Sequence, residues 1–300
     1  MKFSLQIIFL TIILFLFSCS DEKHRSEYYP AFSDNSPSSQ EVYIFGVHPL
    51  HNPQRLFAVF GPLIDHLSEN IPNALFKLEA SRNYAAYDKK LYAGKFHFSL
   101  PNPFQTINSL EKGYQVFAKM GDDNNFRGII LVRKDSGIKH VQDLKGKAIS
   151  YPAPTALAAT MMPQYYLQTH GLNVMKDLDN RYVGSQESSI MNVFLKQTAA
   201  ASTWPPPWNA LIKERPELEK QLEIKWQTPP LPNNGLVARK DIKASLTKQV
   251  KEILTHLHEH KQGRKILQRM GLSKFESADN NTYQPVRDFI KQFIVKVRPL

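Results

Sequence analysis

From residue 41 onward, short apolar runs alternate with stretches in which apolar residues recur at helical spacing. Glu41 to Val47 (EVYIFGV) reads as a buried strand, and Asn52 then caps a helix with Pro53 in its first turn. Leu56, Val59, Phe60, Leu63, Ile64 and Leu67 form the apolar stripe of that helix. A second strand is predicted over Phe76–Ser81, and a helix carrying Tyr84, Tyr87, Leu91 and Tyr92 closes at Gly94. Phe96–Leu100, Tyr114–Lys119 and Arg127–Arg133 read as further strands. A second series begins with a strand at Lys147–Tyr151, a helix at Thr155–His170, a strand at Arg181–Gly184 and a helix at Ser188–Lys196. Strands at Ala199–Thr203, Leu222–Trp226 and Asn234–Arg239 follow, then helices over Leu246–Met270 and across Val286, Phe289, Ile290, Phe293 and Ile294.

This rhythm predicts an α/β protein of two lobes, each a mainly parallel sheet flanked by helices, with a hinge between them. Residues 41–133 plus 236–300 form the first lobe and residues 134–235 the second. Ligands of such sheets bind at the carboxyl ends of the strands, and hinge closure around the ligand is the expected motion.

The start of the chain has a different pattern. Lys2 precedes an apolar run from Ile7 to Phe17, broken only by Thr11, and Ser18-Cys19-Ser20 follows. That run is too short for a spanning helix and suits a signal peptide over residues 1–18. Leu16-Phe17-Ser18-Cys19 resembles a bacterial lipobox, with Phe17 bulkier than the small residue preferred there. The resemblance makes Cys19 a lipidation site and the protein a membrane-anchored lipoprotein of the periplasm or cell surface. Residues 19–40 are polar and rich in Ser and Pro, as a tether requires. Cys19 is the one cysteine in the chain, which excludes intrachain disulfides and cysteine-based metal cages.

The net charge of +11 raises the question of nucleic acid, but the basic residues are dispersed and no helix carries a basic stripe. No nucleic-acid partner is expected, and the chain is expected to be a monomer. Nucleophile elbow, P-loop, dinucleotide turn and zincin motifs are absent from the sequence, so no enzymatic activity and no cofactor are expected.

Four stretches carry a resemblance to a known family: GVHPLHNPQR with FGPLIDHLSE, AGKFHFSLPNPFQ, LVRKDSGIKHVQDLKGKAISYPAP, and YVGSQESSIMNV with the later KILQRMGLSKF. Together they make the chain similar to the phosphate/phosphite/phosphonate-binding (PhnD-like) proteins of ABC importers. The resemblance implies a two-lobed periplasmic-binding-protein (type II) fold that closes on a small oxyanion and presents it to an ABC permease. A sensory module presenting its ligand to a membrane receptor or kinase, and an enzyme on the same fold, are the alternatives.

The chain departs from the family pattern at three places, one run and two single residues. A Ser-Thr-Ser-Gly run that opens the helix after Pro154 and holds phosphonate oxygens is replaced by Ala156-Leu157-Ala158-Ala159, leaving Thr155 as the nearby hydroxyl. A histidine is replaced by Gln186, and an acidic residue is aligned with Ala199. These changes argue against simple inheritance of phosphonate as ligand.

The candidate ligand contacts follow from the strand-end rule. His48 and His51 lie in a Pro-flanked loop after the first strand, where pocket lining, metal ligation and plain loop structure remain open readings, and no metal site is expected. Asn102 either donates to a ligand or stabilises a turn. Thr155 and Ala156 open the helix of the second lobe, while Ser185, Gln186 and Glu187 lie at a junction where capping and ligand binding are compatible. Trp204, with Trp208 across three prolines, offers a stiff aromatic wall, and Asn233 precedes the strand that returns to the first lobe. His256 and His260 share a helical face, read as solvated surface.

Overall fold

The structure, a computed structural model, describes residues 40–300. The predicted signal peptide, Cys19 and nearly all of the tether lie outside the described residues.

The first lobe is built on a six-stranded sheet. Strand β1 (Glu41–Val47) pairs in parallel with β2 (Ala74–Glu79) and β3 (Phe98–Leu100). Strand β10 (Gly235–Arg239) inserts antiparallel between β3 and β4 (Tyr114–Met120), and β11 (Phe275–Ser277) closes the edge beside β4. The second lobe is a five-stranded sheet in the order β7-β6-β8-β5-β9. There β6 (Ala148–Tyr151) runs parallel to β7 (Asp179–Tyr182) and β8 (Ala200–Thr203), while β5 (Ile129–Arg133) is antiparallel to β8 and β9 (Leu222–Gln227). Both sheets are therefore mixed, with a parallel heart and antiparallel additions.

Strand Ile129–Arg133, predicted to close the first lobe, belongs to the second sheet. The chain crosses before this strand, over residues 121–128, and returns over residues 228–234. Both incoming strands, β5 and β10, run antiparallel to their β-sheet neighbours. Apolar periodicity cannot reveal which sheet a wholly buried strand joins, because either core satisfies it.

The two crossing segments run side by side. Thr228 N–H donates to Gly128 O at 3.0 Å, Leu231 N–H to Phe126 O at 3.1 Å, and Met120 N–H to Asn234 O at 2.9 Å. Asn233 locks the pair: its side-chain amide donates to Gly121 O at 2.7 Å and its backbone N–H to Asp123 Oδ1 at 3.0 Å.

Helix α1 (Pro53–Asn70) starts where its cap predicts, with Asn52 Oδ1 accepting from Arg55 N–H at 2.9 Å. Its stripe of Leu56, Phe60, Leu63, Ile64 and Leu67 is buried against the first sheet. Each such side chain contributes about 1.5–3 kcal/mol relative to exposure. Helix α2 (Tyr84–Tyr92) buries Tyr84, Tyr87 and Leu91.

Several predicted elements differ in detail. The long helix predicted over Leu246–Met270 is two helices, Ala244–His256 and Lys261–Met270, joined by a 3-10 turn. The second helix turns back so close to this 3-10 turn that position 263 must be glycine: an added Cβ would come within 1.8 Å of Leu257 O. His256 and His260 thus do not share a continuous helical face. The sequence pattern leaves four helices unmarked, α3 (Pro103–Leu110), Val174–Asp177, Pro205–Glu214 and Pro216–Gln221, and Ile294 of the last helix is 44% exposed rather than buried. The last helix, Gln284–Lys296, joins the first lobe to the second: Tyr165 Oη donates to Gln292 Oε1 at 2.7 Å, and Arg298 beyond the helix donates to Pro154 O at 2.7 Å. Among the described residues, no helix is long and apolar enough to cross a membrane.

Candidate functional site

The carboxyl ends of β1 and β3 in the first lobe and of β6 and β8 in the second converge on one cleft. From the first lobe come His48, Tyr84 and Asn102; from the second come Gln186, Trp204 and the run Ala156–Ala159. Phe126 and Asn234, one on each crossing segment, complete the lining. The lobes are drawn together so far that about 10 Å³ remains for the centre of a water-sized sphere, room for about a single water.

His48 is 3% exposed, and its Nδ1 donates to Leu100 O at 2.8 Å. Since the carbonyl can only accept, Nδ1 carries the hydrogen and Nε2 is an acceptor. Burial lowers its pKa to about 4, so the ring is neutral at physiological pH. Its edge meets the rings of Tyr84 and Tyr87 at centroid distances of 6.1 and 6.3 Å. Tyr84 is likewise buried, its phenol pushed up by desolvation and held next to the Gln186 side chain across the cleft. Gln186 Oε1 accepts from Thr203 Oγ1 at 2.8 Å, which fixes the amide orientation.

Asn102 does two tasks. It caps α3 through Oδ1, with Gln105 completing the capping box, and its Nδ2 donates across the cleft to Thr155 O at 3.0 Å. The Asn-x-x-Gln spacing was a legible signal for this helix.

The helix of the second lobe opens as a π-turn, Leu157–Met161, and runs without break into α4 (Met162–Thr169). The first N–H that bonds back into this helix is that of Thr160, to Ala156 O at 2.8 Å. The N–H groups of Leu157, Ala158 and Ala159 precede it, on residues that line the cleft, and helix N-terminal amides of this kind favour an anion. Gly128 permits this approach: a Cβ there would lie 2.5 Å from Ala158 O and from Pro163 Cγ.

The structure brings together His48, Asn102, Ala156, Gln186 and Trp204 of the predicted contacts. Thr155, Ser185, Glu187 and Asn233 do not line the cleft. Thr155 presents its carbonyl to Asn102, and Ser185 caps the helix Gln186–Phe194 by accepting from Ser188 N–H at 3.0 Å. Glu187 binds Asn52 Nδ2 at 2.9 Å and Arg55 Nη1 at 3.2 Å across the lobes, and Arg55 also pairs with Glu214. Asn233 is committed to the crossing segments, while its neighbour Asn234 lines the cleft. His51 lines a larger recess of about 380 Å³ with Arg55, Lys213 and Arg269, and Trp204 is a wall of both spaces. Burial lowers the His51 pKa to about 3.

Ala199 lies at the opposite end of its strand, among Arg133, Asp135 and Lys196 of a different surface recess. At the cleft end of the same strand the residue is Thr203. The identity of position 199 therefore carries no information about a ligand in this cleft. Among the described residues, no group of three or more His, Cys, Asp or Glu side chains comes together.

Trp204 is 3% exposed and meets Phe126 edge-on at 5.5 Å. It caps the helix Pro205–Glu214, whose first turn accommodates three prolines because N-terminal N–H groups have no intrahelical acceptor. What reads in sequence as a rigid connector is a helix start that fixes an indole in the cleft.

Residues 45–283 match the family described as ABC transporter, phosphonate, periplasmic substrate-binding protein. The chain belongs to this family. Its members are non-catalytic binding proteins of ABC transporters. The phosphonates-binding periplasmic protein of Escherichia coli (strain K12) is 20% identical over 264 residues, covering 84% of this chain and 77% of that protein. A binding protein component of an ABC phosphonate transporter from Pseudomonas aeruginosa superposes with a TM-score of 0.78 at 19% identity, covering 85% of this chain and 87% of its own. PhnD1 from Prochlorococcus marinus (MIT 9301), solved with methylphosphonate, gives the same TM-score and identity over 86% of this chain and 100% of its own. The two mixed sheets are thus those of a type II periplasmic binding protein.

Proposed function

We propose that this protein is a lipid-anchored phosphonate-binding component of an ABC importer, whose lobes, 40–120 with 235–300 and 129–227, close on a small oxyanion. The observation that carries the reading is the convergence of the free N–H groups at Leu157–Ala159 with neutral donors and acceptors at the lobe interface. Loss of the family Ser/Thr run removes hydroxyl donors but not these amides. A helix N-terminus alone supplies an anion with aligned N–H groups and a favourable dipole. Methylphosphonate is the ligand of the Prochlorococcus relative; since the space left here is about that of one water, the lobes must part to admit a molecule of that size.

The ligand contacts in this reading are His48, Tyr84, Asn102, Gln186, Trp204 and Asn234, with the amides of Leu157, Ala158 and Ala159. No carboxylate lines the cleft to neutralise an amine, so phosphonates bearing an ammonium group are disfavoured. Calorimetric titration of residues 21–300 with methylphosphonate, phosphite, phosphate and 2-aminoethylphosphonate tests this. Saturable binding of the first is expected; no heat with any member of the panel refutes the function.

Anchoring rests on the lipobox-like Leu16–Cys19 sequence. Metabolic labelling with a fatty acid is expected to mark the wild-type chain and not Cys19→Ala, and equal labelling of both refutes the anchor.

A further inference from the structure

The cleft contains acceptors as well as donors, and their arrangement bears on the charge state of what it takes. Asn234 is fully buried and lines the cleft. Its Nδ2 rests 3.4 Å from Met120 Sδ, while its Oδ1 has no hydrogen-bond partner. A buried, unpaired carbonyl costs about 1–3 kcal/mol, so a ligand that supplies a donor gains what this atom lacks. His48 presents a second acceptor, because its Nδ1–H is spent on Leu100 O and Nε2 keeps its lone pair.

No Lys or Arg lines the cleft. Charged groups on the neighbouring elements are engaged elsewhere: Arg55 with Glu187 and Glu214, Lys119 with Asp123 and Glu276, and Asp88 with Gln105. The titratable groups of the lining itself are His48 and Tyr84, both neutral, with His51, also neutral, in the adjoining recess. A dianion would enter a nearly dry space whose positive potential comes only from backbone amides. The desolvation cost of a second charge is left without compensation there.

Resting on the phosphonate reading above, we propose that the cleft selects the singly protonated, monoanionic form of a phosphorus oxyanion. Its unprotonated oxygens take the N–H groups of Leu157, Ala158 and Ala159, and its O–H is donated to Asn234 Oδ1, with His48 Nε2 as the second acceptor. The donor inventory of the ligand, and not only its shape, then sets specificity. Oxyanions that carry no O–H at neutral pH leave Asn234 unpaired and are rejected.

Methylphosphonate and methanesulfonate make the test. The two have nearly the same shape, with a methyl group and three oxygens on a tetrahedral centre. At neutral pH the monoanionic phosphonate bears an O–H and the sulfonate bears none. Calorimetry with the wild-type protein is expected to show phosphonate binding tighter by about tenfold or more, the scale of one hydrogen bond to a charged group. Asn234→Leu is expected to narrow that ratio toward unity by weakening phosphonate and leaving methanesulfonate unchanged. His48→Asn, whose amide can still donate to Leu100 O, is expected to narrow it in the same direction. Equal affinity of the wild type for the two ligands overturns the inference while leaving phosphonate binding intact. A ratio unchanged in both variants also overturns it. Failure of both ligands to bind the wild type overturns the phosphonate reading, and the inference with it.

Discussion

Arg55 of the first lobe reaches Glu187 of the second, Nη1 to Oε1, at 3.2 Å. Both side chains are largely withdrawn from solvent, 17% and 20% exposed, and Asn52 holds the second oxygen of the same carboxylate at 2.9 Å. Two helix N-termini, those of Pro53–Asn70 and Gln186–Phe194, are thereby tied directly across the interface. The pair closes the cleft without lining it.

Breaking this clasp acts on closure. Glu187→Gln removes the ion pair while leaving a hydrogen-bond acceptor for Asn52. A partly buried pair of this kind is worth about 1 kcal/mol, or about fivefold in affinity. Stopped-flow binding is expected to show faster ligand release with little change in association, and small-angle scattering a larger ligand-free radius. Unchanged release would mean that the clasp does not hold the closed form.

Trp204 reports ligand entry. It is the tryptophan that lines the cleft; Trp208 and Trp226 do not. Ligand addition is expected to shift the intrinsic fluorescence of the wild type, and Trp204→Phe is expected to abolish most of the change. A signal that survives in Trp204→Phe assigns the response to another tryptophan.

Gly128→Ala places a methyl group 2.5 Å from Ala158 O, a distance no Cβ tolerates. The crossing segment must move away from the helix that opens the anion site. Overpacking of this kind costs about 1–3 kcal/mol, and urea denaturation is expected to show it together with a weaker Kd. Wild-type stability and affinity in this variant would show that the close approach is dispensable.

Acid is expected to destabilise this protein through its buried histidines. His48 and His51 have folded-state pKa values lowered from 6.5 to about 4 and about 3. Between those values and 6.5 the unfolded chain binds more protons, so stability is present above pH 6.5 and is lost as pH falls. Asp88 acts in the opposite sense: burial raises its pKa from 3.8 to about 6, so its carboxylate destabilises the fold above pH 6 and is relieved by protonation below it. Two histidines outweigh one aspartate, and the net loss between pH 6.5 and 4.5 is expected to be a few kcal/mol, at about 1.4 kcal/mol per pKa unit. Denaturation midpoints should fall over that range, and more steeply in Asp88→Asn, which removes the opposing contribution. A shallower fall in Asp88→Asn would contradict the assignment.

Much of the architecture was legible because local chemistry and tertiary role coincide. Tyr43 and the stretch Phe45–Val47 of the first strand are buried in the sheet, so their apolarity marked it. Asn52 and Pro53 start a helix by bonding geometry that needs no neighbours. The helices at Pro103 and Pro205 escaped notice because proline signals an interruption in most contexts, and only the first turn of a helix reverses its meaning.

The site was harder to read. Asn233 and Asn234 are adjacent and chemically identical, yet one ties the crossing segments and the other lines the cleft. In extended chain, neighbouring side chains point to opposite sides, and a one-residue shift exchanges their roles. Ser185, Gln186 and Glu187 at one helix start divide three ways, into cap, cleft wall and lobe clasp.

The linear chain alone determines most of the order of strands and helices, and the residue types available at each strand end. Those follow from short-range periodicity and capping. The three-dimensional structure decides which lobe the strand Ile129–Arg133 joins, and that Ala199 stands at the far end of its strand from the cleft. It also decides that every polar side chain converging on the cleft is uncharged. Such facts depend on contacts between residues far apart in sequence, whose free energy arises only when the lobes meet and water leaves.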